Sequence, residues 1–251
     1  MMVRGVSRKG AAGILAALVL LLAADASLFF LAWMPRVENA FEQSNWEGLD
    51  LLAKYRENTD MIGWLQVDGT NINYPVMGSD DYLFRDFAGN YDEGGSLFVE
   101  EDWNVEDKCT VIYGHNMWMS GTMFHPLHSF AEDRFFRKNR KIRFYAITDN
   151  GKGAEKRTCE IICCIRTSVD EWNYASCRNI CAEEELDAFA AECRRRAVQK
   201  WEPEADGTDG SGELIVLSTC SYHVQGDKGR LLVVGELTDR TEQTRIDVKQ
   251  R

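Results

Sequence analysis

The sequence predicts a mainly β fold, a closed or nearly closed barrel of eight short strands, preceded by a helical extension and interrupted late by one helix. Three observations carry this. Eight short runs, several rich in Val, Ile and aromatic residues, are separated by Gly, Asn and Asp turn signals at 62–67, 72–76, 96–99, 109–113, 141–147, 158–167, 213–219 and 230–237. Only one stretch among them carries a strong helical period, at 182–198. Hydrophobic residues make up 45% of the 251, enough to fill one sizeable core and too many for a disordered chain.

The elements follow in order. Arg4, Arg8 and Lys9 precede an apolar run at 11–33 that is broken by the single charge of Asp25. A bilayer core takes about 20 apolar residues, so residues 11–34 read as a transmembrane signal-anchor. Positive charge ahead of it favours a cytoplasmic 1–10 segment and an exported remainder. A cleaved signal peptide with its site at 23–26 is the rival, although the apolar run continues through 28–33. Residues 35–57 read as a helical extension, in which Ser44 and Glu47 have capping-box spacing. Leu49, Leu52 and Ala53 share one face, and Gly48 weakens the middle.

The barrel then occupies 58–238. In the inserted helix Leu186, Phe189, Ala190, Cys193 and Ala197 recur at helical spacing. Glu183, Glu184 and Glu185 lead it and Arg194, Arg195 and Arg196 close it, matching the helix dipole at both ends. Residues 204–212 read as a loop and 239–251 as a polar, frayed tail.

Charge and cysteine content exclude some classes. A net charge of −11 argues against a nucleic-acid partner, since neutralising phosphates takes clustered Lys and Arg. The basic stretches at 194–196 and 134–141 read as solvated faces. Eight cysteines in an exported domain would ordinarily suggest a disulfide framework. The domain is too large to need one, Cys163 and Cys164 are neighbours in a strand, and Cys220 has a chemical role argued next. Buried free thiols are the expected state. Cys177, Cys181 and Cys193 have no nearby His to complete a zinc site.

Three residues stand at strand ends, where a rigid barrel can hold side chains and still expose them. His115 follows the run 109–113 in Tyr113-Gly114-His115-Asn116-Met117, Cys220 ends Leu217-Ser218-Thr219-Cys220, and Arg230 opens the last run after Gly229. A thiolate attacks carbonyl carbon far better than a thiol. With reference values of about 8.5 for Cys and about 6.5 for His, an unperturbed pair is mostly neutral at pH 7. The site therefore shifts those values or works through a minority ion pair. Imidazolium can protonate a leaving amine, and guanidinium is an oxyanion partner that keeps its protons.

These motifs together resemble the sortase signature. Further matches follow its class B: Asn73-Tyr74-Pro75-Val76, Asp81-Tyr82-Leu83 through Asp86-Phe87 to Gly95-Ser96-Leu97-Phe98-Val99, and Met123-Phe124 after the His motif. The inserted helix and the N-terminal extension also fit, so the resemblance spans about 37–237. It implies an eight-stranded sortase-type β-barrel and a cysteine transpeptidase. Cys220 would be the nucleophile, His115 the acid/base and Arg230 the oxyanion stabiliser, with Leu83, Ser218 and Thr219 lining the substrate groove. The implied partners are surface proteins bearing a C-terminal sorting signal, and an amine of a cell-wall precursor or pilin as acceptor. Class B relatives often favour Asn-Pro-x-Thr signals, though no residue here fixes that motif. Ser221 stands where some relatives carry Asp.

No cofactor or metal is expected. His125 and His128 flank Pro126 at a spacing poor for a ligand pair and read as a turn-and-helix surface. Glu100, Glu101, Asp102, Glu106 and Asp107 could bind calcium but read as a solvated loop. A plain cysteine hydrolase and a non-catalytic adhesin on the same barrel are the alternative functions.

Overall fold

The computed structural model describes residues 48–201, 212–223 and 227–243. The predicted anchor at 11–34, the Ser44–Glu47 capping pair and most of the loop 204–212 lie outside them. No helix of the described residues is long and apolar enough to cross a membrane.

Helix α1 (Gly48–Glu57) leads into strands β1 (Met61–Val67) and β2 (Asn73–Met77), then β3 (Leu97–Phe98) and β4 (Cys109–Tyr113). A small hairpin follows, β5 (Asn116–Met117) with β6 (Thr122–Met123), then a 3-10 helix at His125–Ala131 and α2 (Asp133–Lys138). Strands β7 (Lys141–Thr148) and β8 (Gly153–Ser168) come next. The insert comprises a 3-10 helix at Tyr174–Asn179, α3 (Glu183–Arg196) and the short β9 (Ala197–Lys200). Strands β10 (Leu214–Cys220) and β11 (Gly229–Gln243) complete the chain's described part.

Eight strands close on themselves. Their order is β11-β10-β4-β3-β2-β1-β7-β8, and β8 pairs back onto β11 from Ser168↔Gly229 to Ala154↔Gln243, while β9 adds to β8 outside the ring. These eight are the eight runs read from the sequence, with ends shifted by a few residues. Closure matters because it removes the unpaired edges that an open sheet would present.

Two cores result from strand alternation. Ile112, Ile215, Leu217, Leu231 and Val233 point into the barrel beside Leu65, Phe124 and Phe144. Their neighbours Val111, Leu214, Val216, Leu232 and Val234 point outward, under Leu186, Ala190 and Cys193 of α3. Burial on both faces explains why these strands read as continuous apolar runs.

Two predicted boundaries fail for tertiary reasons. The inserted helix stops at Arg196, because Ala197 and Val198 leave it to pair with β8 as β9, Ala197 opposite Ile165. The expected frayed tail does not begin at 239: Asp239, Arg240 and Thr241 stay in β11 opposite Thr158, Arg157 and Lys156. Their polar composition suits an exposed strand end as well as a tail. The β5–β6 hairpin, α2 and the 3-10 helix at Tyr174–Asn179 were not legible, being too short to show a period.

Candidate active site

Register builds the site. Strands β4 and β10 run parallel with Tyr113 opposite Ser218, and Gly114 N–H donates the next rung to Ser218 O at 3.2 Å. One alternation further on each chain stand His115 and Cys220, on the outward side that Val111 and Val216 share. On the other flank of β10, Cys220 lies directly opposite Arg230 of β11. The three predicted residues therefore fall in consecutive columns of one barrel face, His115, Cys220, Arg230. All three are half-buried at its rim.

Each side chain has a defined setting. His115 Nε2 lies 2.9 Å from Leu83 O. A carbonyl only accepts, so Nε2 carries the proton and Nδ1 is the basic nitrogen of the neutral ring. The ring also lies 5.3 Å, centroid to centroid, from Phe84, which is 48% exposed. Gly114, just before it, packs against the barrel interior without a side chain: a Cβ there would meet Leu97 Cδ2 at 2.5 Å and Phe124 Cδ2 at 2.7 Å. Arg230 Nη1 donates to the carbonyls of Asp227 and Gly229, at 2.5 and 2.9 Å. Its charge also acts on the phenol of Tyr174, whose hydroxyl is 2.8 Å from Ser218 Oγ. Burial pushes the Tyr174 phenol up, with Ser218 and Arg230 acting the other way. A guanidinium has five N–H donors, so capacity remains for an anion.

The predicted groove residues are placed differently from one another. Leu83 touches the site through its carbonyl and is half-buried. Ser218 and Thr219 are 2% and 1% exposed. Their hydroxyls go to Tyr174 and to Gly114 O, at 2.8 Å each. They brace the end of β10 beneath Cys220 and present no surface to a ligand in this structure.

A polar group that the sequence did not reveal surrounds the Cys220 backbone. Past Gly114 strand β4 ends, and the carbonyl of Cys220 lacks a backbone rung on that side. Asn116 Nδ2 donates to it at 3.1 Å. His128 Nε2 lies 3.2 Å from the same oxygen and 3.1 Å from Asn116 Nδ2. His125 Nδ1 holds Asn116 Oδ1 at 2.8 Å, which fixes the orientation of the amide. His125 and His128 are thus half-buried parts of the site, correcting their reading as a turn-and-helix surface. Burial lowers the pKa of His128, with its hydrogen bond to Cys220 opposing and His125, Arg166 and His223 adding to the fall. Period-two extension of β4 through Asn116 is the signal that could have found this.

The acidic loop is engaged otherwise. Arg178 ion-pairs with Glu100 and Asp102, at 2.6 and 2.7 Å, and Asp107 accepts from Asn104 N–H. Among the described residues no cluster of three or more His, Cys, Asp or Glu is arranged to hold a metal. Ser221 is buried, and its Oγ meets His223 Nδ1 at 2.9 Å.

A closed eight-stranded barrel carrying thiol, imidazole and guanidinium on one rim face defines a sortase-type cysteine transpeptidase. No family model matches the chain. Sortase B of Staphylococcus aureus is 26% identical over 223 residues, covering 80% of this chain and 86% of that protein. Sortase B of Listeria monocytogenes is 27% identical over 188 residues, covering 73% and 72%. Among solved structures, Clostridium perfringens sortase B superposes with a TM-score of 0.63 at 28% identity, over 74% of this chain and 98% of that one. A Staphylococcus aureus sortase B–substrate complex gives 0.61 at 25% identity, over 75% and 84%. These similarities support a class B sortase.

Proposed function

We propose that the protein is anchored in the cell membrane by residues 11–34, with the catalytic domain outside. There it would cleave a C-terminal sorting signal of surface proteins and pass the acyl group to an amine. Cys220 Sγ attacks the scissile carbonyl carbon, and Arg230 meets the developing oxyanion. His115 protonates the departing amine, leaving a thioacyl enzyme. An incoming amine then attacks that carbonyl, gives its proton to His115, and the C–S bond breaks. The observation that supports these roles is the shared outer face of the three residues, set by the β4–β10–β11 register.

A substrate complex of the Staphylococcus aureus relative supports a peptide signal as ligand. The acceptor is a cell-wall precursor or a pilin lysine. The second is favoured by a Streptococcus pyogenes class B sortase described as involved in pilus biogenesis, 27% identical with a TM-score of 0.59.

Cleavage of a fluorogenic sorting-signal peptide, with and without an added amine nucleophile, tests the reading. Wild type should give an amine-dependent ligated product, and Cys220→Ala should give neither product nor hydrolysis while remaining folded. Turnover that no amine increases would point to a plain hydrolase. Substantial activity in Cys220→Ala would overturn the nucleophile.

A further inference from the structure

Apart from Cys220, the chain has seven cysteines, and six of them are buried; Cys181 is exposed. Strand alternation sorts them. Cys159 and Cys164 face the barrel interior, whereas Cys109 on β4 and Cys163 on β8 face outward beneath the insert. Cys163 and Cys164, adjacent in sequence, therefore point to opposite sides of the wall. The insert brings two cysteines of its own to the outward pair. Cys177, in the 3-10 helix Tyr174–Asn179, places its Sγ 2.6 Å from Cys109 Sγ. Cys193, on α3, is buried in the same cluster as Cys163, and its thiol is the foremost cause that raises the Cys163 pKa. All four are 0% exposed. Two barrel cysteines and two insert cysteines thus share a single buried interface, and Cys109 and Cys177 are in contact across it.

We propose that Cys109–Cys177 and Cys163–Cys193 are sites of disulfide formation that staple the insert to the barrel. In each pair two thiols become one disulfide, releasing two protons and two electrons. The electrons go to an external disulfide, either a low-molecular-weight one or that of a thiol oxidase, which becomes two thiols. The path is thiolate attack, a mixed disulfide, then attack by the second thiol.

Packing sets the timing of the reaction. Within the closed structure Cys109 and Cys163 are held protonated by their partner thiols and by burial, and no oxidant can reach them. The bonds therefore form while the chain folds, before the insert closes. An oxidising exterior supplies the conditions, so in cells the inference rests on the proposed export, while the test below does not. The consequence for the site is local. Tyr174, three residues before Cys177, bonds Ser218 and lies under the influence of the Arg230 charge, so the first staple pins an element that borders the guanidinium.

The test refolds the full chain in a glutathione redox buffer, alkylates it in denaturant without reductant, and maps peptides by mass spectrometry. The expected result is a peptide joining Cys109 to Cys177 and another joining Cys163 to Cys193, with Cys159, Cys164, Cys181 and Cys220 alkylated. Reductant should lower the melting temperature by roughly 10 °C, the combined effect of opening two cross-linked loops in a domain of this size. In Cys177→Ser, Cys109 should become alkylated while the other link persists. Alkylation of all eight cysteines, a different pairing, or a melting temperature indifferent to reductant would overturn the proposal.

Discussion

Asn116 replaces a missing rung. Its amide supplies the hydrogen that a further rung of β4 would have given to the Cys220 carbonyl, and His125 keeps it aimed. Asn116→Ala removes that donor without touching the thiol, imidazole or guanidinium. An unmet polar group at a half-buried site costs about 1–3 kcal/mol. The expected outcome is a fall in kcat of roughly 10-fold or more with KM little changed, measured with a sorting-signal peptide. A parallel fall in both parameters' ratio through KM alone would place the effect in binding instead. His128 adds a pH dependence. Its folded pKa lies below the unfolded value of about 6.5, so the unfolded chain binds the extra proton first. Above that value His128 contributes no slope; as pH falls from there toward the lowered folded pKa, stability declines. His128→Gln should flatten this part of a urea-midpoint profile between pH 7 and pH 5, and an unchanged slope would assign it to other groups.

At the scale of elements, β8 and β11 carry most of the closure, and their far ends hold a buried ion network. Arg157, on β8, is 3% exposed at its side chain, and its Nε donates to Glu155 Oε1 at 2.6 Å. Arg240, on β11, reaches the same carboxylate at 3.2 Å and also pairs with Glu213. Arg240 is one of the residues that composition assigned to a frayed tail, yet the ladder through Gln243 brings it opposite Arg157. Two guanidiniums side by side are tolerable because Glu155 and Glu213 lie between them. Removing one member of a buried network leaves its partner's charge under-compensated, at a cost of about 3–5 kcal/mol. Arg157→Ala should lower the thermal midpoint accordingly. Differential scanning calorimetry would read it, and a loss under 1 kcal/mol, about that of an exposed pair, would show the network to be solvated.

At the scale of the molecule, the proposed topology has a direct check. In intact cells the full chain should fractionate with membranes and be shaved by added protease; a mature protein starting near 25 or 26 would mean a cleaved signal instead. Sequence alone determined the eight barrel strands, because each couples a period or an apolar run to its own turn residues, and these are local properties of the chain. It also singled out the trio as candidates, because His115, Cys220 and Arg230 each sit in a short motif at a strand end. Tertiary structure decided what depends on pairing between distant segments. The register of β4 against β10 sets Cys220 beside His115, the ladder through Arg240 turns an apparent tail into strand, and the docking of the insert joins Cys109 to Cys177. The polar clamp of Asn116, His125 and His128 was hidden for the same reason: what it satisfies is a carbonyl over ninety residues away in sequence, exposed only because a neighbouring strand stops short.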